Sequence, residues 1–298
     1  VLGGLMSGNI SAAFAYVADI TTEEERAKGM GLLGAAFGLG FVFGPVIGGV
    51  LAGAELESAN YALPAFFAAG LVALSLGGVV FVLPESLSAE LREKNNNKDI
   101  IPLANQLRSA FTRRALTLII GLSFILTMAF ALVEVTLGLW ANEKLGFGPR
   151  DIGLVLTYVG VIGVIIQGGL IGVLTKHVGE RRLVATAVLL YFAGYTTLFL
   201  ATGWLLLLVA MTLLAIGSGL SNPTLSSLVS KEAPETERGV ILGIFQGAGS
   251  LARVIGPAYA GVVYAGFGEN MPFAIAAVCM VPALFMTLAI TISKPSGH

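Results

Sequence analysis

Apolar residues form nine long runs along this chain, separated by polar segments that are mostly short. Each run is close to the length of about twenty residues that a helix needs to cross the hydrocarbon core of a bilayer. The runs cover residues 1–19, 28–53, 61–83, 115–141, 150–175, 183–201, 204–230, 239–264 and 271–292. This pattern predicts an all-α polytopic membrane protein, a helical bundle with about nine transmembrane helices.

One polar connection is much longer than the others and divides the chain. Residues 84–114 are rich in charge and separate three predicted spans from six. We therefore expect residues 1–83 to form the second half of an N-terminal bundle, residues 84–114 to form an interdomain loop, and residues 115–298 to form a complete six-helix bundle.

A ladder of glycines occurs twice in the chain, 212 positions apart. The shift places Arg26 on Arg238, Gly31 on Gly243, Gly44 on Gly256, Pro45 on Pro257 and Gly49 on Gly261. Repeated sets of hydrophobic helices are typical of secondary transporters, whose substrate path lies between the repeats. A counterpart of the span that begins at residue 115 would lie before Val1. We therefore expect about a hundred further residues there, or roughly three spans, which complete the first bundle.

Positive charge lies almost entirely on one side of the predicted spans. Fourteen of the 17 Lys and Arg residues lie there, whereas Lys144 and Arg150 lie on the other side and Arg253 lies inside a span. The positive-inside rule then makes loops 20–27, 84–114, 176–182 and 231–238 and the C-terminus cytoplasmic, in a cell membrane.

Composition excludes several other classes of protein. The chain is 56% hydrophobic and 12% charged, with a mean hydropathy of +0.87, which is far from the composition of a soluble domain. A net charge of −1 argues against nucleic acid as a partner. Only one cysteine and two histidines are present, so we expect no metal site, and the absence of a Walker-type phosphate loop predicts no nucleotide cofactor.

Two glycine-containing segments resemble motifs of a known family. The antiporter motif in the fifth helix of proton-coupled drug antiporters of the major facilitator superfamily is similar to the ladder Gly31, Gly40, Gly44, Pro45, Gly48, Gly49. The loop motif between the eighth and ninth helices of that family is similar to Gly172, Gly179, Arg181 and Arg182. This second segment carries Lys176 where the fuller motif has an acid. Within this family, the chain resembles tetracycline-efflux and multidrug-efflux proteins. The resemblance implies transport by alternating access, in which the bend at Gly44 and Pro45 seals one side of the membrane between the two halves.

Two charged residues lie inside the predicted spans. Arg253 lies about midway along its span, where an unpaired arginine costs about 2.5–3.5 kcal/mol, and Glu134 lies about two-thirds of the way along 115–141. We expect Glu134 to bind protons or a cationic substrate and Arg253 to be the neighbour that tunes it. Purely structural contacts between helices are the alternative for both residues.

Four amides and three aromatic residues complete the candidate site. These are Gln167, Gln246, Asn9 and Asn222, with Phe130, Tyr158 and Phe245. The amides either line a polyspecific pocket with the aromatic rings or only hydrogen-bond between helices.

Together, these features predict a monomeric secondary transporter that exchanges protons for small amphipathic or cationic compounds. A metabolite, sugar or lysolipid transporter of the same superfamily is the first alternative. The alternative of another class is a non-transporting scaffold or a membrane enzyme, which the lack of a nucleophile–base pair in the spans disfavours.

Overall fold

The chain folds into long helices. The computed structural model describes residues 23–85, 110–234 and 237–292, with the single residues 13, 16, 17, 20 and 21. Every regular element in this part is helical: α1 Glu23–Ala52, α2 Ala62–Val82, α3 Arg114–Leu145, α4 Pro149–Val178, α5 Glu180–Phe199, α6 Trp204–Glu232, α7 Arg238–Phe267 and α8 Met271–Ile292.

These eight helices match eight of the nine predicted spans. Seven of them, α2 to α8, are long and apolar enough to cross a membrane, and the apolar part of α1 covers Ala36–Ala52. The first predicted span, residues 1–19, lies outside the described residues apart from isolated positions. Residues 86–109 of the predicted interdomain loop also lie outside them.

Helices α3 to α8 surround a shared hydrophobic core. Its fully buried side chains include Trp140 and Phe273, whose rings meet edge to face at 5.6 Å. Helix α5 packs mainly against α6 and α8, while α7 packs along α3. Helix α1 lies along α4, outside this core, and α2 contacts α1 without burying any of its own residues.

The turn between α3 and α4 is fixed by three residues with special backbone roles. Gly146 ends α3 with a φ of 68°, a left-handed conformation that glycine adopts without strain. Pro149 opens α4, where its missing N–H is of no consequence. The Gly148 N–H donates to Asp151 Oδ2 at 3.1 Å, so the side chain of Asp151 caps the N-terminus of α4.

Helix α4 changes its winding near the middle of the membrane span. Residues Ile166–Leu170 form a π-helical turn that includes Gln167, Gly168 and Gly169. The buried Ile166 side chain packs against α6, where a methyl group added at Gly219 would lie 2.9 Å from it. Such π turns interrupt the regular hydrogen-bond ladder and are frequent at functional sites.

Candidate functional site

Helices α1 and α4 run antiparallel and touch backbone to backbone. A methyl group added at Gly153 would lie 2.5 Å from the Pro45 carbonyl oxygen, and one at Gly49 would lie 2.7 Å from the Pro149 oxygen. At Gly160 the distance to the Phe41 oxygen would be 2.9 Å. Only glycine permits this approach, which is the packing mode of small residues between membrane helices. We call this contact the α1–α4 seam.

The seam is closed at one end by a backbone hydrogen bond. The Arg150 N–H donates to the Gly53 carbonyl oxygen at 3.2 Å, just beyond the last turn of α1. Gly53 has a φ of 107°, so a side chain there would strain the turn. The seam therefore extends from Gly53 along most of the apolar part of α1.

The predicted antiporter motif is divided between two faces of α1. Pro45 and Gly49 lie in the seam, whereas a methyl group added at Gly40, Gly44 or Gly48 would meet nothing within 4 Å. Gly31 lies in the same helix, nearer its beginning. The partner glycines of the seam, Gly153 and Gly160, were not predicted, although their seven-residue spacing places them on one face of the helix.

The second copy of the ladder, in α7, packs through a different residue. A methyl group added at Gly256 would lie 2.9 Å from the Ala131 side chain and 3.0 Å from the Met128 oxygen, both on α3. One added at Gly261, which corresponds to Gly49 of the seam, would meet open space. Helices α3 and α7 thus form a second close contact, and their register is fixed by Gly256 and Ala131.

Glu134 and Arg253 lie on this pair of helices and are both exposed. They form no ion pair with each other or with any other residue of the described ranges, whose ion pairs lie at the ends of the helices. Arg253 precedes Gly256 by three residues and Glu134 follows Ala131 by three. Arg253 therefore lies about 4.5 Å before the contact between Gly256 and Ala131, measured along the helix axes, and Glu134 lies about 4.5 Å beyond it. Their positions are offset by about 9 Å along the axes.

Both charges project to the same side of the α3–α7 pair. The helices run parallel, because Arg113 contacts Glu237 at 3.5 Å at their beginnings and Tyr264 donates to Glu143 at 2.8 Å at their ends. A side chain three residues from a contact residue points about 60° away from it around the helix axis. Arg253 comes three residues before Gly256 and Glu134 three residues after Ala131, so the two rotations have opposite senses. Because the two parallel helices face each other at Gly256 and Ala131, these opposite rotations bring both side chains to the same side of the pair.

The remaining candidates are only partly brought together. Gln246 is exposed on the same flank of α7 as Arg253, and the half-buried Phe130 lies one turn before Glu134 on α3. Phe245 is only 7% exposed and packs in the core. It therefore lines no open surface of the described structure, which is a difference from the expectation that it faces a pocket.

The other candidates lie on α4 and α6. Gln167, in the π turn, and Asn222 are exposed. Tyr158 is 40% exposed, and its hydroxyl forms a hydrogen bond of 2.7 Å with the Thr212 hydroxyl, which links α4 to α6. Asn9 lies outside the described residues.

The predicted loop motif is docked on the end of α6. Glu180 accepts hydrogen bonds from Ser227 Oγ at 2.6 Å and Lys231 Nζ at 2.7 Å. Arg181 contacts Glu232 at 3.3 Å, and Gly179 has a φ of 85° that lets α5 begin directly after α4. Arg182 is exposed, as is Gly172. Glu180, the carboxylate that anchors this motif, was not among the predicted site residues.

At the opposite end of the bundle, polar residues join α3 to the turn between α7 and α8. Lys144 contacts Glu269 at 2.5 Å, and Trp140 Nε1 donates to Asn270 Oδ1 at 2.7 Å. The hydrogen bond from the Lys144 ammonium lowers the pKa of the Glu269 carboxyl below its usual value.

The family follows from comparison of the whole sequence. The family model of the Major Facilitator Superfamily matches residues 1–171 and again residues 121–298. The chain belongs to the Major Facilitator Superfamily. It is therefore a multi-pass membrane protein and a transporter, not an enzyme.

Similar proteins within the superfamily include drug-resistance proteins. The chain is 31% identical over 294 residues to multidrug resistance protein 2 of Bacillus subtilis, and this alignment covers 97% of the chain and 70% of that protein. It is 30% identical over 271 residues to the class C tetracycline resistance protein of Escherichia coli, covering 89% of the chain and 65% of the relative. The chain thus spans about two-thirds of the length of these relatives.

A solved structure shows the same fold. The crystal structure of the human organic anion transporter MFSD10 superposes with a TM-score of 0.69 at 24% identity, over 96% of this chain and 69% of that one. This likeness supports the major-facilitator-type helical bundle expected from the sequence.

Proposed function

We propose that this superfamily member takes part in proton-coupled efflux of small amphipathic or cationic compounds by alternating access. The observation that carries the proposal is the exposed, unpartnered Glu134 carboxylate within the apolar helix α3 of the described structure. Ionisable residues inside membrane spans usually mark substrate or proton pathways. The relatives named for multidrug and tetracycline resistance support export as the direction.

Glu134 supplies the simplest chemistry for such an exchange. A single carboxylate can hold a proton or a cationic group, but binding one displaces the other. If Glu134 faces each side of the membrane in turn, proton entry and release of the cationic compound become coupled. The half-buried Phe130 ring one turn away offers an apolar surface for the body of the compound.

The α1–α4 seam supplies the barrier in this proposal. Its backbone contact at Pro45, Gly49, Gly153 and Gly160 leaves no space for water or substrate between the two helices. We propose that residues 1–83 belong to one moving half and residues 115–298 to the other, so that the seam joins the halves. The proposed transporter is a monomer in a plasma membrane, with the loop motif on the cytoplasmic side.

Substrate-induced proton release from everted vesicles tests the proposal. Wild type should release protons when a lipophilic cationic dye is added, and Glu134→Gln should abolish that release because a neutral amide cannot exchange a proton. Glu143→Gln, at the end of the same helix, is the matched control and should keep the release. Unchanged release by Glu134→Gln removes this residue from the coupling path.

A further inference from the structure

The α7 flank that carries Arg253 is polar over about two turns. Gln246, Ser250 and Arg253 are spaced by four and three residues, so they fall on one flank of the helix, and all three are exposed. The Ser250 hydroxyl donates to the Gln246 carbonyl oxygen at 3.0 Å. In the described part of the chain, the Arg253 guanidinium and the Gln246 amide have no protein partner.

The opposite flank of α7 is exposed and apolar. Leu251 and Val262 lie roughly opposite Arg253 around the helix and are more than half exposed, as expected of a surface that faces lipid. The separation of polar and apolar residues on one helix indicates that the Arg253 flank faces an aqueous space.

The internal repeat locates that space. On one side, the Arg253 flank is bordered by Gly256, which contacts α3. Pro257 lies on the flank itself and Gly261 borders it on the other side; these two residues are the counterparts of Pro45 and Gly49 in the α1–α4 seam. The flank therefore lies between an intrabundle contact and the face that corresponds to the seam.

The charge is not needed for the packing of the repeat. The counterpart of Arg253 under the 212-residue shift is Phe41, which is 68% exposed and apolar. An arginine that is present in one copy of the helix and absent from the other is better explained by a ligand than by helix packing.

Guanidinium and amide groups together suit an anionic ligand. Arginine presents several N–H donors in a planar fork that matches a carboxylate or a similar oxyanion. The Gln246 amide lies about two turns away on the same flank and adds a neutral donor. Glu134 forms no ion pair with Arg253 in the described structure, and their backbone positions are offset by about 9 Å along the helices.

We infer that Arg253 and Gln246 form an anion-binding subsite on α7, and that the transported compounds are amphoteric, with an anionic group on Arg253 and a cationic group toward Glu134. The inference rests on the proposed function, since it names the substrate class of the same site. It adds a second point of recognition, on a residue whose position is offset by about 9 Å along the helix axes from that of Glu134.

Binding of matched probes to the purified protein in lipid nanodiscs tests this subsite. The probes are an aminoalkyl benzoate, the same alkylamine without the carboxylate, and the same benzoate without the amine. Wild type should bind the aminoalkyl benzoate most tightly. Arg253→Gln should weaken binding of both carboxylate probes by about tenfold or more, since a charged hydrogen bond is lost, and should leave the amine probe unchanged.

Three further variants keep the test independent of folding. Arg253→Lys should recover part of the carboxylate affinity, and Leu251→Ala, on the apolar flank, should change none of the affinities. Gln246→Ala should weaken the carboxylate probes by about threefold and provides the readout if Arg253→Gln does not fold.

The anion subsite and the proposed function fail in different ways. Equal weakening of all three probes by Arg253→Gln, or carboxylate affinities that do not respond to it, overturns the subsite while proton release by wild type still stands. Probe affinities that depend on Arg253 in a protein that exports the probes without proton exchange support the subsite and contradict proton coupling.

Discussion

Helices α1 and α7 carry the same glycine ladder, yet each buries the face that the other leaves open. In α1, Gly49 is closed against α4 while the Gly44 face is open; in α7, Gly256 is closed against α3 while Gly261 is open. Because Gly44 corresponds to Gly256 and Gly49 to Gly261, the ladder has two faces that can each pack closely against another helix. The face of Gly256 contacts α3 within the core of α3 to α8, and the face of Gly49 contacts α4 in the seam.

The largest expected effect comes from filling the open face of α1. Gly44→Leu should abolish transport, because the proposed gating role of the motif requires a second helix to approach this face. The fold of the described chain should tolerate the change, since nothing lies within 4 Å of the added Cβ. Vesicle transport and thermal unfolding of the same preparation measure the two effects separately. Normal transport by this variant refutes the gating role of Gly44.

The next largest effect should come from the seam itself. Gly153→Ala places a methyl group 2.5 Å from the Pro45 carbonyl oxygen, and neither backbone can yield without opening the seam. We expect a loss of about 1–3 kcal/mol, the usual cost of overpacking. Unfolding monitored by tryptophan fluorescence gives the value. Gly48→Ala, on the open face of α1, is the control and should hardly change the free energy of unfolding. Equal losses of stability for the two variants contradict the interpretation that only one face of α1 is packed.

The corresponding test in α7 reverses the roles of the two positions. Gly256→Ala should destabilise the protein by about 1 kcal/mol, at the lower end of the overpacking range, because one of its close neighbours is the Ala131 side chain. Gly261→Ala should have little effect in the described structure. A stability loss at Gly261 that exceeds the loss at Gly256 breaks the comparison between the two ladders.

The smallest effect is expected from the polar interactions at the ends of the α1–α4 seam and the α3–α7 contact. The seam ends in the Arg150–Gly53 backbone bond, whereas the α3–α7 contact ends in the Lys144–Glu269 pair. The folded-state pKa of Glu269 lies below its unfolded value, so the pair stabilises the fold above the unfolded pKa and is lost as the pH falls through the folded one. Lys144→Ala should remove this part of the acid sensitivity, measured as the change in melting temperature between neutral pH and about pH 3. An unchanged pH profile shows that the pair contributes nothing.

Hydropathy alone predicted most of the fold. It placed the centre of every described helix, because a bilayer requires about twenty apolar residues in succession. It missed helix ends that extend into water: α1 begins at Glu23 and not near residue 28, and α3 continues to Leu145 through Asn142, Glu143 and Lys144. Polar residues can continue a helix outside the hydrocarbon core, so the end of an apolar run does not mark the end of the helix.

The site was harder to predict, because it depends on which face of each helix is covered. Phe245 was expected in a pocket, but it shares a buried face with Gly249, Ala252 and Gly256. That stripe could have been found by the spacing of small residues, whereas the π turn in α4 has no signature in hydropathy. Glu134 and Arg253 were selected as candidates because charge is rare in these spans, yet only the register between α3 and α7 shows how far they are offset along the helices.

The π turn in α4 adds an angular offset that the residue numbers conceal. One extra residue in a helical turn rotates everything beyond it by about 100°. The stretch Pro149–Ile165, which holds the seam, and the stretch Ile171–Val178, which leads to the loop motif, therefore follow different phases of the same helix. Deleting a single glycine from the pair Gly168-Gly169 would remove the extra residue, so that a regular α-helix could join the two stretches and leave Lys176 in its present orientation.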